Sequence, residues 1–334
     1  MANPAGYVLY GSGPSLFTRK LETALKYYAP PFEFMLKRGR PDGQTMEARA
    51  GTHQVPVLAT PEGWMIADTT PIMDLLDHRF PGRAMFPSGP LGVLTHLAEE
   101  YLDEWTARVM VHYRWHYPDS ARFVANIIAE PAMAEAILSW GPRACRATGT
   151  ETEFHQQAAE AEYVRLLEAA DEQLTKTRYL LGDRPTAVDC MVLGGFRAHT
   201  LHDPDPANVV KRFPRLVAWN ERADRWDGGG GLAPFPQSTS FAQHLLEGMA
   251  QHYAPFVLAN AQALADGRKA FVIDTYGEPA SYLARAYPEQ SRRMIQDRIR
   301  HRLTSAEAQE VEAWLRQSGL AEGFSPTSAF VATL

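Results

Sequence analysis

Three hydroxyl side chains, Tyr10, Ser12 and Ser15, alternate with Gly11 and Gly13 near the start of the chain, in YVLYGSGPSLFTRK (Tyr7 to Lys20). Glycines between a strand and a helix can cradle a phosphate, because the first N–H groups of the helix are unpaired and point at the ligand. The dinucleotide fingerprint GxGxxG would need glycine where Leu16 stands, and an acid after the next strand to hold a ribose. Leu16 fails the first requirement, and the later segments do not repeat as strand–helix crossovers. The nucleophile elbow GxSxG fails as well, since Pro14 stands two residues beyond Ser12. Ser15, at the start of the helix, sits where the dipole favours a negative charge, and a thiolate is such a charge. The stretch has no cysteine, so a thiol handled there must come from a ligand.

The elements that would position these groups follow from periodicity. Tyr7 to Tyr10 is a short apolar strand. Leu16, Phe17, Leu21, Ala24, Leu25 and Tyr28 then recur at helical spacing, ending near Pro30. Phe32, Phe34 and Leu36 alternate as a strand, and a polar loop with room for a short helix follows from Lys37 to Gly43. Val55 to Ala59 and Trp64 to Ala67 flank TPEG as a hairpin, and Ile72, Leu75, Leu76 and Phe80 share one helix face that stops at Pro81 and Gly82. The crossover rule makes the first two strands parallel and the hairpin antiparallel, a mixed sheet of four in a thioredoxin-like arrangement.

After PGRAMFPSGPLG the strand signals nearly vanish. Val93, Leu94, Leu97, Tyr101, Trp105 and Val109 mark one long helix; Phe154 to Leu174 marks another; TAVD opens a third with Thr186 and Asp189 as a capping box; a fourth follows Pro214. DGGGG, Asp227 to Gly231, reads as a flexible break, and beyond it lie helices with one strand at Ala270 to Asp274. The expected fold class is an α/β thioredoxin-like N-terminal domain over residues 1–82, an all-α helical domain over 92–227, and a mainly helical extension over 232–334.

Composition bounds the function. The net charge of −6 leaves no footprint for nucleic acid, and KRGR, Lys37 to Arg40, reads as a solvated loop. No apolar run approaches the roughly 18 residues that span a membrane. MANPAGYVLY lacks the plan of an export signal, so the expected location is the cytoplasm. Cys145 and Cys190 have no zinc spacing, and Cys190 lies in an apolar run as a buried thiol. His112 and His116 stand one turn apart without a third ligand at recognisable spacing, so no metal is expected.

Four stretches in order, YGSGPSLFTRK, HQVPVL, WMIADTTPIMDLLD and YLLGDRPTAVD, resemble the signature segments of the glutathione transferase superfamily, over about 230 of the 334 residues. The resemblance implies glutathione as co-substrate, a hydrophobic electrophile as the second substrate, and a homodimer. It places Ser15 at the glutathione sulfur, with Tyr10 and Ser12 as competing hydroxyls. Val55 and Pro56 match the step where a cis proline exposes backbone to the cysteinyl part. His53 matches a residue facing the glycine carboxylate in some classes, while on its own it reads as a solvated loop histidine. Asp68 and Thr69 stand where the family has Glu and Ser, for the γ-glutamyl group; Asp is one methylene shorter, and DTTP alone would read as a capped helix start. Tyr113, Arg114 and Trp115 become candidates for the electrophile side. The same resemblance leaves open a non-catalytic binding or assembly protein, and a specialised glutathione-dependent isomerase, dehalogenase or ether lyase. Ordinary members end before the extension, which could cap the pocket, extend a dimer contact or bind a partner.

Overall fold

The computed structural model describes residues 6–38, 40 and 42–326. Gly39, within KRGR, lies outside the described residues, as do Pro41 and the ends of the chain. The first unit runs β1 (Tyr7–Gly11), α1 (Leu16–Tyr28), β2 (Phe32–Leu36), α2 (Gly43–Ala50), β3 (Val57–Ala59), β4 (Met65–Ala67) and α3 (Thr69–Arg79). Its sheet has the order β2-β1-β3-β4, with β1 and β2 parallel and the β1–β3 and β3–β4 pairs antiparallel. This is the mixed four-stranded sheet that the sequence order requires. Side-chain alternation along β1 sends Tyr7 and Leu9 to the main core and Val8 and Tyr10 to a smaller cluster with Met46 and Val57 under α2.

A 3₁₀ turn (Pro81–Arg83) leads to the helical part: α4 (Pro90–Glu100), a π-helical segment (Tyr101–Thr106), α5 (Ala107–His116), α6 (Pro118–Ile128), α7 (Pro131–Leu138), α8 (Gly141–Ala147), α9 (Glu153–Gln173), α10 (Ala187–Gly195), a second π segment (Phe196–Thr200), α11 (Pro204–Val210) and α12 (Pro214–Arg222). The long helix expected from Val93 to Val109 is therefore continuous but changes winding at Tyr101. The capping box of Thr186 and Asp189 is present at the start of α10. The two units meet backbone to backbone where α1 crosses α10. A Cβ on Gly194 would lie 2.7 Å from the Lys20 nitrogen, 2.9 Å from its Cα and 3.0 Å from the Leu16 carbonyl oxygen.

The extension comprises α13 (Ser240–Gly248), a third π segment (Met249–Tyr253), α14 (Ala254–Ala265), β5 (Ala270–Thr275), β6 (Glu278–Leu283), α15 (Ala286–Arg302), α16 (Ser305–Gln317) and α17 (Ala321–Phe324). Its buried side chains, among them Phe241, Tyr253, Phe256 and Phe324, belong to the same apolar core as α4 and α10. Two expectations change here. Asp227 to Gly231 is not a free tether: the Asp183 amide donates to the Gly231 carbonyl at 2.7 Å, and the Trp226 indole donates to the Gly229 carbonyl at 2.7 Å. Gly230, at φ 101, presses so close to the Asp183 carbonyl that no side chain would fit. The second change is a partner strand. The lone strand expected at Ala270 pairs with β6 across a two-residue turn, Tyr276 (φ 60) and Gly277 (φ 97), the positive-φ pair that a type I′ hairpin needs.

Candidate functional site

Gly11 and Gly13 serve packing. A Cβ on Gly11 would collide with the Thr18 side chain, and the Gly13 carbonyl accepts from Arg19 Nε at 3.0 Å. Ser15 is the N-cap of α1, its Oγ accepting from the Thr18 amide at 3.3 Å. Arg114 Nη1 pins the preceding loop by donating to the Pro14 carbonyl at 2.7 Å.

The cavity nearest these elements, about 160 Å³, has three sources of wall. Thr52, Gln54, Val55, Pro56 and Ala67 to Thr70 come from the first unit, with Phe17 from α1. Glu100, Asp103 and Glu104 come from the end of α4 and the π segment. Arg285, Tyr287, Ser291 and Met294 come from the extension. Of the residues named from sequence, Val55, Pro56, Asp68 and Thr69 line this cavity; Ser15 and His53 do not, and His53 is exposed. The Val55–Pro56 peptide bond is cis. Asp68 caps α3 with φ 70, a left-handed conformation that costs a non-glycine residue about 1–3 kcal/mol and concentrates at ligand-holding positions. Its carboxylate accepts from the Thr70 amide at 3.3 Å.

The competing hydroxyls are elsewhere. The Tyr10 ring lies under α2 with the Arg40 guanidinium over it at 5.1 Å, and Ser12 receives its own helix-side contact through its amide, which donates to Thr18 Oγ1 at 3.2 Å. Tyr113, Arg114 and Trp115 also stay out of the cavity. Tyr113 is core, stacked on Tyr117 at 5.7 Å; Arg114 is a buried clasp, with Nε 2.8 Å and Nη2 3.0 Å from the Asp203 carboxylate; Trp115 packs against the cluster of Ala125, Ala129, Ala134 and Ile137. His112 accepts or donates at Glu160 over 2.7 Å and stacks on His116 at 4.8 Å. Among the described residues, no group of three or more His, Cys, Asp or Glu side chains is arranged to hold a metal.

Beneath the cavity floor lies a buried ammonium that sequence reasoning missed. Lys20 Nζ donates to Thr69 Oγ1 at 2.8 Å and to Asp103 Oδ1 at 2.5 Å, and pairs with Glu99. It anchors Thr69 and Asp103 against α1 and leaves the Thr69 hydroxyl hydrogen free to donate. The carboxylates above it are strongly perturbed. Burial pushes Glu99 up to about 8 and Glu104 up to about 7, and raises Glu100 well above its ordinary range. Burial, with Asp103 nearby, also raises Asp68. The extension answers this acidity. Arg285 pairs with Glu104 at 2.7 Å, Ser291 and Tyr253 both donate to Glu100, and the Tyr287 hydroxyl meets Gln54 Oε1 at 3.0 Å. The run EYLDEW offered a signal for the acids, but its helical face placed them as readily in solvent.

Residues 9–84 match the family profile described as glutathione S-transferase, N-terminal domain, and residues 164–223 match glutathione S-transferase, C-terminal domain. No curated protein matches the chain. Among solved structures, the chain is similar to a glutathione S-transferase from Rhodospirillum rubrum F11 (16% identity, 66% of this chain and 89% of that one, TM-score 0.47). It is also similar to a beta-etherase from Sphingobium sp. strain SYK-6 (17%, 67% and 96%, TM-score 0.48). A third, from Methylobacterium radiotolerans in complex with glutathione sulfonate, is 21% identical over 66% of this chain and 92% of that one, with TM-score 0.44. Residues 9–84 and 164–223 thus carry the N-terminal and C-terminal domain patterns of glutathione S-transferases, in that order, on a mixed four-stranded sheet followed by helices.

Proposed function

We propose that the chain is a cytoplasmic, homodimeric glutathione transferase that holds glutathione in the 160 Å³ cavity and activates its thiol for attack on a hydrophobic electrophile. The observation that carries this reading is the convergence of Val55, Pro56, Asp68 and Thr69 on one cavity at the N-terminus of α3. Residues 1–82 hold the tripeptide, 92–227 frame the second substrate, and 232–334 cover both. The Val55 backbone pairs with the cysteinyl unit. Thr69 and the amides at the start of α3 take the γ-glutamyl carboxylate while Asp68 faces its amine. His53, on the exposed rim, meets the glycine carboxylate.

Ser15 Oγ keeps a hydrogen to donate after accepting from Thr18, and it stands at the positive end of α1. Both effects favour a thiolate. A thiol of pKa about 8.5 is only a few per cent ionised at pH 7, so a two-unit drop raises the nucleophile more than tenfold. The sulfur then forms a C–S bond to the electrophilic carbon as the leaving group departs with its electron pair. Ser15→Ala is expected to lower turnover of an aryl halide by roughly 1.5–3 kcal/mol in kcat/KM, with glutathione affinity retained. Unchanged turnover would remove Ser15 from this role. Light scattering at micromolar concentration checks the dimer.

One observation favours a second reading. The cavity, with Arg285, Tyr287 and Met294 of the extension among its walls, is smaller than the roughly 300–1,000 Å³ of most small-molecule sites. A non-catalytic protein that keeps the fold would need no more room. Thermal shift at millimolar glutathione separates the two, since a ligand at 100 Kd stabilises by about 2.7 kcal/mol and a protein that does not bind stays put.

A further inference from the structure

The N-terminal half of α15 lines the cavity just described; its C-terminal half lines another. This second cavity, about 520 Å³, opens where the end of α3, the linker through Gly89, Arg184 and α15 meet. Phe86, Pro87 and Leu303 form apolar wall, and Asp77, Arg184, Arg298 and Arg302 form charged wall.

The cations there outnumber the carboxylates free to meet them. Arg302 takes Asp74 with both terminal nitrogens, at 2.5 and 2.6 Å, and Arg298 Nη2 reaches the same carboxylate at 3.2 Å. Asp77 is already engaged by the Tyr28 hydroxyl and by the amides of Met85 at 2.6 Å and Phe86 at 3.0 Å. The Nη2 of Arg184 donates to the Ala84 carbonyl at 2.5 Å. The Nε atoms of Arg184 and Arg298 are buried without a hydrogen-bond partner among the described residues. Arg298 is only 8% exposed, with its guanidinium 5.1 Å from the Phe86 ring centre. Burial holds both Arg184 and Arg298 below the ordinary arginine range, and the neighbouring Arg302 adds to this at Arg298.

A buried guanidinium with an unpartnered nitrogen is costly, and the group that satisfies a guanidinium best is an oxyanion that accepts two parallel N–H bonds. The volume falls within the usual range for a ligand site, and the apolar wall beside the arginines leaves space for a body behind the charge. We propose that this cleft binds a small molecule carrying a phosphate or carboxylate group, its oxyanion held by Arg184 and Arg298 and its apolar part packed on Phe86, Pro87 and Leu303. The site stands apart from the glutathione reading and does not depend on it.

The test is calorimetry on the full chain with inorganic phosphate, phenyl phosphate and benzoate, at constant ionic strength. Saturable binding is expected, with phenyl phosphate about tenfold or more tighter than inorganic phosphate because of the apolar wall. Preference between phenyl phosphate and benzoate identifies which oxyanion the site takes, and either supports it. Arg184→Gln should weaken binding by about tenfold or more. This side chain is only half buried, so the variant is expected to fold; Arg298→Lys, which keeps the charge and loses the fork, should weaken binding similarly. The proposal is overturned by no saturable binding of any probe up to about 10 mM. Equal binding by both variants and the parent, or loss of all binding once glutathione is saturating, would overturn it too.

Discussion

At Asp189 one carboxylate ties the start of α10 to the loop before it. It accepts from the Leu180 amide at 2.8 Å, the Thr186 amide at 2.8 Å and the Thr186 hydroxyl at 3.0 Å, fully buried. Asp189→Ala leaves buried donors unpaired, so a loss of about 2–4 kcal/mol in denaturant unfolding is expected. Burial also pushes this carboxyl up to about 6, against hydrogen bonds that pull it down. A pKa raised above the unfolded value of about 3.9 gives stability that is full below pH 4 and is lost as pH rises through 6. Measured from pH 4 to 7, the stability of Asp189→Asn is therefore expected to fall less steeply than that of the parent. The capping box was legible in TAVD as a helix start. The bond to Leu180 was not, because it joins segments whose approach only packing decides.

The crossing of α1 and α10 shows what an element needs that its own periodicity does not announce. Gly194 faces backbone atoms of Leu16 and Lys20, which cannot rotate away as a side chain would. Gly194→Ala is expected to cost about 1–3 kcal/mol by thermal or denaturant unfolding, whereas Gly231→Ala, with open space around its Cβ, should stay within about 0.5 kcal/mol. Because α1 also carries Phe17 and Lys20 and is capped by Ser15, the Gly194 variant should weaken the proposed glutathione binding as well. Elements with one wet face were readable: α1, α3 and α9 show their apolar stripes, and the sheet follows from its turn residues. The helix from Pro90 was read on one face only, yet residues 92–102 are buried all round, between α10, α13, α15 and α16. Glu99 and Glu100 thus sit inside the protein although their spacing reads as a wet face. β6 was missed for another reason: EPASYL carries Pro279 as its second residue in a two-stranded sheet, and the turn glycine after Tyr276 was its main signal.

For the whole molecule, the extension decides the character of the site. Its Arg285 meets Glu104, whose carboxyl burial pushes up to about 7 from an ordinary value of 4.5. The raised value means that the stability linked to Glu104 is full below about pH 4.5 and is lost as pH climbs through 7. Glu104→Gln is expected to flatten the fall in unfolding free energy between pH 5 and 8. Reading the variant against the parent cancels His96 and His199, whose burial lowers them in both proteins. From sequence the extension could be assigned helices but no place, since its contacts with the site span distances such as the 233 residues between Gln54 and Tyr287.

That separation also orders events in time. During synthesis the Val55–Pro56 step and the start of α3 leave the ribosome well before α15, and at about 5–20 residues per second the interval is of the order of ten seconds or more. For that interval the Val55–Pro56 step and the start of α3 stand without the wall that Arg285, Tyr287, Ser291 and Met294 supply. Closing this cavity is then a late step in maturation, made as α15 docks.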